Sequence, residues 1–382
     1  MTRALFAASA GLVAYTYVLF PLLVLVRGRL RPRPHERAPI TPPVSLVIAA
    51  RNEAAVIGRK LENVLALDYP RDRLEVVVAS DGSDDGTAAA ARAHGDGRVR
   101  VLDLPRVGKA AALNAAVAAS TGEILVFSDA NSLYLPGALR ALVEPFADPH
   151  VGGVAGDQRY SSDGSEAAVA EGERRYWDLD RALKRAESAG GNVISATGAI
   201  YAVRRTLFDG VPAGVTDDFA TSTAVIARGR RLVFAPDAVA VEPVGRTRAV
   251  EYERKVRVMT RGLNGVVLRR RLLDPRRHGF YALQLLSHKV LRRMMALPLV
   301  GLALSAAALG RRDRRFRAAT AAQAAVYGLG AAGLLAGGRP LARRRIVALP
   351  AYFCLVNLAS LHAAWNVVRR RGIDRWEPRR EP

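Results

Sequence analysis

The stretch "ILVFSDANSLYLPGALRAL", residues 124–142, begins as an apolar run and then sets an acid, Asp129, and an amide, Asn131, two positions apart. Alternate residues of an extended chain point the same way. A strand ending here therefore delivers both side-chain oxygens to one point just beyond its hydrogen-bonded ladder, an arrangement suited to a hard cation. A plainer role competes with this one: an Asx turn leading into the helix that "LPGALRALVEPF" predicts. The segments upstream separate the two.

Three further β-branched runs precede it, "VSLVIAA" (44–50), "LEVVVAS" (74–80) and "VRVLDL" (99–104), and the fourth is "EILVFSD" (123–129). Helical spacing or alanine-rich sequence follows each of the first three. Near-continuous apolar strands alternating with helices predict an α/β fold with a mainly parallel, Rossmann-like sheet covered on both faces. Ligands of such sheets bind outside the carboxyl ends of the strands. That edge collects Arg51-Asn52-Glu53, the run Asp81 to Asp85, and Asp129 with Asn131.

Two nucleotide signatures are missing. No G-x-G-x-x-G follows the first strand, which argues against a dinucleotide oxidoreductase. Gly108-Lys109 is not the end of a P-loop, because Ala110 stands where Ser or Thr is needed and Asp103 where the first glycine belongs. An acid-tipped edge with one nearby lysine suits instead a nucleotide whose diphosphate is bridged by a metal ion.

Lys and Arg number 57 against 35 Asp and Glu, a formal charge of +22. Much of the excess flanks apolar stretches, in arginine clusters at 27–37, 311–317, 339–345 and 369–371. Charge in that position indicates a membrane surface, not nucleic acid. Residues 4–26 are uncharged and long enough to span. Pro21 leads into "LLVLVRGR" with no small-residue cleavage site, so a retained anchor is expected. Further apolar stretches lie at 294–310, 318–338 and 346–368, the first of them short and the candidate for a re-entrant or interfacial segment. His288, Lys289, Arg292 and Arg293 beside it read as interfacial anchors. The expected plan is an anchor and basic linker (1–40), a cytoplasmic catalytic domain (41–275) and a membrane domain (276–382) with an interfacial helix and two or three spans. Arginines at 27–37 place that end of the first span in the cytoplasm of a multi-pass cell-membrane protein. Cys354 is the single cysteine, which excludes an intrachain disulfide.

The motifs "VSLVIAARNEAAVIGRKLENVLALDYP", "VVVASDGSDDGT", "GKAAALNAA", "ILVFSDANS", "SATGAIYAVRR" and "VTDDF" follow one another in an order that resembles family 2 glycosyltransferases. The chain is similar to the membrane-embedded, inverting members that include cellulose, hyaluronan and poly-N-acetylglucosamine synthases. The resemblance implies a GT-A fold, a nucleotide-diphosphate sugar donor and a divalent cation, Mg2+ or Mn2+.

It also implies roles residue by residue. Ala50 and Glu53 match the first-strand motif at the nucleoside. Asp81 matches the acid that reads the base, and an acceptor there suits the imide N–H of uracil. Lys109 matches the lysine near the diphosphate. Asp129 matches the first acid of the metal motif, with Asn131 in the third position where many relatives carry Asp. The amide still coordinates but adds no charge, so either affinity is lower or Asp129 holds the metal together with the diphosphate. Gly198 and Thr216 fall on the acceptor side. Asp218 matches the catalytic base, with Asp217 as its fallback. Arg254 and Arg257 fit the spacing of a Gln-x-x-Arg-Trp motif, but Val258 replaces the tryptophan on which a polymer end would stack.

The resulting expectation is an inverting transferase acting on a glycan or lipid-linked acceptor, with membrane lipids around it and an export partner if the product is long. A transferase that adds sugar to a lipid once fits the missing tryptophan. An inactive membrane-bound partner in a cell-surface polysaccharide assembly is the competing reading, and it rests on Asn131.

Overall fold

The computed structural model describes residues 1–94, 96–161, 167–243, 248–336 and 344–370. Most of the arginine cluster at 339–345 lies outside them. Two compact units divide the chain, one comprising Met1–Leu25, Gly164–Asp180 and Gly245–Gly372, the other Val26–Asp163, Arg181–Val244 and Ile373–Pro382.

The second unit is built on one eight-stranded sheet. Strands β1 (Val44–Ala50), β2 (Leu74–Asp81), β3 (Val99–Leu104) and β4 (Ile124–Ser128) form a parallel half. Every residue of β1 and β4 is buried, as expected for strands covered on both faces. The other half contains β5 (Leu133–Tyr134), β6 (Val151–Ser161), β7 (Tyr201–Arg204) and β8 (Arg231–Pro243), and the full order is β3-β2-β1-β4-β7-β6-β8-β5. β7 runs antiparallel to β4 and to β6, so the sheet is mixed. The reversal at β4 matters for the site, because the carboxyl end of β4 then lies beside the start of β7, where Gly198 and Ala199 arrive.

Helix Ala54–Leu65 covers one face with Ile57, Leu61 and Val64, all fully buried. Each side chain of this size sealed from water contributes roughly 1.5–3 kcal/mol. The glycines of β6 are imposed by packing. A Cβ on Gly152 would strike Leu207, Arg230 and Val225, and one on Gly156 would meet the Ala238 carbonyl at 2.7 Å.

The N-terminal edge of this unit begins inside an apolar helix. Gly28 lies so close to Ala186 that a Cβ would stand 2.6 Å from its carbonyl oxygen. The Arg33 amide donates to Ala189 O at 2.7 Å, and the Arg231 guanidinium donates to the carbonyls of Arg33 (2.8 Å) and Pro34 (2.9 Å).

In the first unit, a helix at Arg248–Leu268 and the helices Ala296–Gly310, Arg314–Leu335 and Arg345–Val368 pack on one another and on Thr2–Ala14. Gly330 and Gly333 let the last two helices approach, with Cys354 Sγ 2.5 Å from a Cβ at Gly330. Among the described residues three helices are long and apolar enough to cross a membrane: Thr2–Leu30, Arg314–Leu335 and Arg345–Val368. The short stretch at 294–310 belongs to a pair, Phe280–Met294 and Ala296–Gly310, bent by 55°, which is a broken span or a re-entrant loop. His288, Lys289, Arg292 and Arg293 precede that bend, and Arg292 contacts the His288 ring at 3.1 Å.

Candidate active site

The carboxyl ends of β1, β2 and β4 carry loops that are knitted together by short polar side chains. The Arg51 guanidinium donates to Asp81 O at 3.0 Å, and the Asn52 amide to Ser83 Oγ at 3.1 Å. Asn52 adopts a left-handed φ of 51°, which asparagine tolerates better than most residues. Asp85 accepts from the amides of Ala54 (2.9 Å) and Thr87 (3.0 Å), and so serves the first turns of two helices. Ala50 is fully buried at the end of β1, and Glu53 is 4% exposed, with its amide bonded to Thr87 Oγ1 at 2.8 Å.

Asp81 is buried at the end of β2 and braces a neighbouring loop. It is 1% exposed, and its Oδ1 accepts the amides of Val107 (2.7 Å) and Gly108 (2.9 Å). Gly82 makes this possible. Its φ is +58°, and a Cβ would meet the Arg106 backbone at 2.7–2.9 Å. Asp81 thus fixes the loop after β3, and that loop delivers Lys109 at the first turn of helix Lys109–Ala118.

Lys109 brings the distant motifs to one point. Its Nζ donates to Asp129 Oδ1 at 2.9 Å and pairs with Asp217 Oδ1 at 3.2 Å. Burial opposes its charge, but Asp129 and Asp217 outweigh that and raise its pKa above the ordinary lysine range. Asp217 and Asp218 open the helix Asp217–Ala227, whose N-terminal dipole favours carboxylates. Thr216 is its N-cap residue, with no side-chain capping bond. Asp218 Oδ1 accepts the Phe219 amide at 2.7 Å. Beneath them Tyr201 is fully buried, and burial first, then Asp217 and Asp218, raise its pKa.

Asp129 and Asn131 are both partly exposed on the loop after β4. Among the described residues there is no cluster of three or more His, Cys, Asp or Glu that could hold a metal ion. The pair supplies two ligating side chains, too few to enclose a cation but suited to one that also keeps waters or phosphate oxygens, and Asp129 Oδ1 is already bonded to Lys109.

Gly198 is packed against the acid. A Cβ there would sit 2.9 Å from Asp129 Oδ2. Gly198→Ala must therefore push Asp129 aside. Where Asp129 serves a reaction, a shift on the order of half an ångström costs about tenfold in rate, so Gly198→Ala is expected to lower turnover at least that far with a melting temperature within a few degrees. Unchanged turnover would remove Gly198 from the site.

Arg254 and Arg257 lie on Arg248–Leu268 in the first unit. Burial, then Arg261 and Arg254, lowers the Arg257 pKa. Val258, the next residue after Arg257, is 44% exposed. One residue escaped the sequence reading: Lys60, 0% exposed, whose Nζ donates to Ser128 Oγ at 2.7 Å. Burial pushes its pKa down to about 7, against the pull of Asp129 and Glu242. The signal was its spacing, since position 60 falls on the same helix face as Ile57, Leu61 and Val64.

Comparison with known proteins bears on the family of the chain. A family model described as "Glycosyltransferase like family 2" matches residues 42–274. A β-monoglucosyldiacylglycerol synthase of Synechocystis sp. is 36% identical over 116 residues, 29% of this chain and 24% of that protein. A poly-β-1,6-N-acetyl-D-glucosamine synthase of Staphylococcus aureus is 27% identical over 235 residues, 59% of this chain and 56% of that protein. The chain thus spans about a quarter of the first relative and just over half of the second. A mannosyltransferase from Pyrobaculum calidifontis, solved with GDP-Man and Mn2+, superposes with a TM-score of 0.73 at 27% identity, over 96% of this chain and 99% of that one. With a mixed sheet of the GT-A type and a match over most of its length, the chain belongs to glycosyltransferase family 2.

Proposed function

We propose that this protein is a membrane-bound inverting transferase that moves a sugar from a nucleotide-diphosphate donor to a lipid-linked acceptor. The observation that carries this reading is Lys109, which ties Asp129 at the end of β4 to Asp217 at the start of a helix 88 residues further on. Such a point can serve both halves of a glycosyl transfer. A divalent cation held by Asp129 and Asn131 would act as a Lewis acid toward the diphosphate. The Mn2+ in the mannosyltransferase supports a cation here. Lys109 adds preorganised positive charge for the leaving group. Asp218 takes the proton of the attacking hydroxyl. A single displacement needs no carboxylate nucleophile, and the anomeric centre inverts.

The acceptor is argued from the other unit. Apolar helices at both ends of the catalytic sequence suit a substrate that stays in the bilayer, and the arginines at 27–37 support a catalytic unit on the cytoplasmic side. Val258 offers no aromatic face for a growing polymer, so the products are short.

Uridine is the donor base proposed from the match at Asp81. Guanosine is a second reading, favoured by the GDP-Man bound to the mannosyltransferase. Calorimetric titration with UDP, GDP and CMP, each with Mn2+, decides between them: UDP is expected to bind most tightly, and tighter GDP binding replaces it. Mass spectrometry of products from purified protein in lipid, given a panel of nucleotide sugars, tests the transfer itself. No transfer from any donor would leave the inactive-partner reading standing.

A further inference from the structure

Lys60 buries a basic amine completely, where a methionine would fill the same slot with no polar group. Its contacts explain the choice. Nζ donates to Ser128 Oγ at 2.7 Å and to the Ser132 carbonyl, and lies 4.0 Å from the centre of the Tyr134 ring. Ser128 and Ser132 are the two feet of the loop Asp129-Ala130-Asn131. From the opposite side Ser132 Oγ donates to Glu242, whose second oxygen accepts Gln158 Nε2 at 2.5 Å, and Ser128 Oγ donates to Ala199 O at 3.1 Å.

We infer that Lys60 is a positioning residue that clamps both feet of the 128–132 loop, so that Asp129 and Asn131 keep their oxygens aimed at one divalent cation. The inference rests on the proposed role of those two residues. Lys60 reaches neither and acts through Ser128 and Ser132. Its charge and its position work in opposite directions. Whatever positive charge the amine carries would repel a cation at Asp129, so losing that charge alone would tighten metal binding. Losing the clamp loosens the loop, and removal of such supporting contacts typically costs ~10–100-fold in metal affinity or activity.

The test is Lys60→Met in the full chain, in detergent or lipid. Mn2+ affinity is read by electron paramagnetic resonance with UDP or GDP, whichever the native chain binds, alongside the melting temperature. The expected result is Mn2+ affinity weaker by about tenfold or more, a matching fall in kcat, and a melting temperature within a few degrees. Tighter Mn2+ binding would overturn the inference in favour of a purely electrostatic role. A lower melting temperature with unchanged Mn2+ affinity would reduce Lys60 to a packing residue. If Lys60→Met does not fold, Ser128→Ala and Ser132→Ala each remove a side-chain bond at one foot with Lys60 in place. Weaker Mn2+ binding in both supports the clamp, and native affinity in either overturns it. Should the native chain bind no nucleotide with Mn2+, the proposed function fails and takes this inference with it. Native binding that is indifferent to Lys60→Met removes the inference alone.

Discussion

Asp218→Asn binds the nucleotide donor as the native chain does and turns over about 10²–10⁴-fold more slowly, the usual contribution of a general base. The amide keeps the shape of the carboxylate, and its own oxygen can still accept the Phe219 amide, so the neighbouring Lys109–Asp129 pair is left undisturbed. What disappears is an oxygen able to take the acceptor's proton. Asp217 is poorly placed to substitute, because it is engaged with Lys109 at 3.2 Å. Asp217→Asn accordingly weakens the Lys109 bridge and costs less. Titration calorimetry for donor binding and a single-turnover product assay separate the two steps. Equal loss in Asp217→Asn, with full activity in Asp218→Asn, would move the base one residue upstream.

The second large effect is at Asp129. Asp129→Ala removes the charged oxygen proposed to hold the cation, and with it several kcal/mol of transition-state charge stabilisation, on the order of 10³-fold in rate. Added Mn2+ does not restore turnover. The fold survives, because Lys109 retains Asp217 as its partner. Asn131→Asp has the opposite sign: it keeps activity and tightens metal binding, since a second carboxylate adds charge where the amide has none. Native turnover in Asp129→Ala that is indifferent to a chelator would end the metal assignment.

The parallel half of the sheet was legible in the sequence because strands buried on both faces are continuous apolar runs. β1 is Val44–Ala50 and β3 Val99–Leu104, as those runs predicted, and β2 and β4 differ only at their ends. The other half was not read. β6 carries glycines at 152, 153 and 156 because neighbouring side chains and backbone leave no room for a Cβ, and glycine is among the weakest strand signals there is. β8 is bent by a register shift opposite Gly156 and Asp157 and contains Pro236, which breaks its alternation. At the site, spacing and resemblance found Lys109, Asp129 and Asp217, which the fold brings within ion-pair distance. Two things needed coordinates. Oδ1 of Asp81 holds two loop amides, and Gly198 abuts Asp129.

The contacts of Gly28, Arg33 and Pro34 have a practical consequence for anyone who shortens this protein into a water-soluble enzyme. The natural place to cut is the proline-rich linker near residue 41, after the arginines. That cut removes the carbonyls to which Arg231 donates and the amide that bonds Ala189, and it uncovers the helix surface at Ala186. Arg231 is then left with only the carbonyls of Ser188 and Gly191. A fragment that keeps the chain from Val26 preserves all of these partners but carries the last apolar turns of the first helix into water. Solubility and intact packing at the amino end of β8 therefore compete over the same fifteen or so residues, and replacing Leu30 and Val26 with polar side chains, at 76% and 48% exposure, is a gentler route than removing the segment.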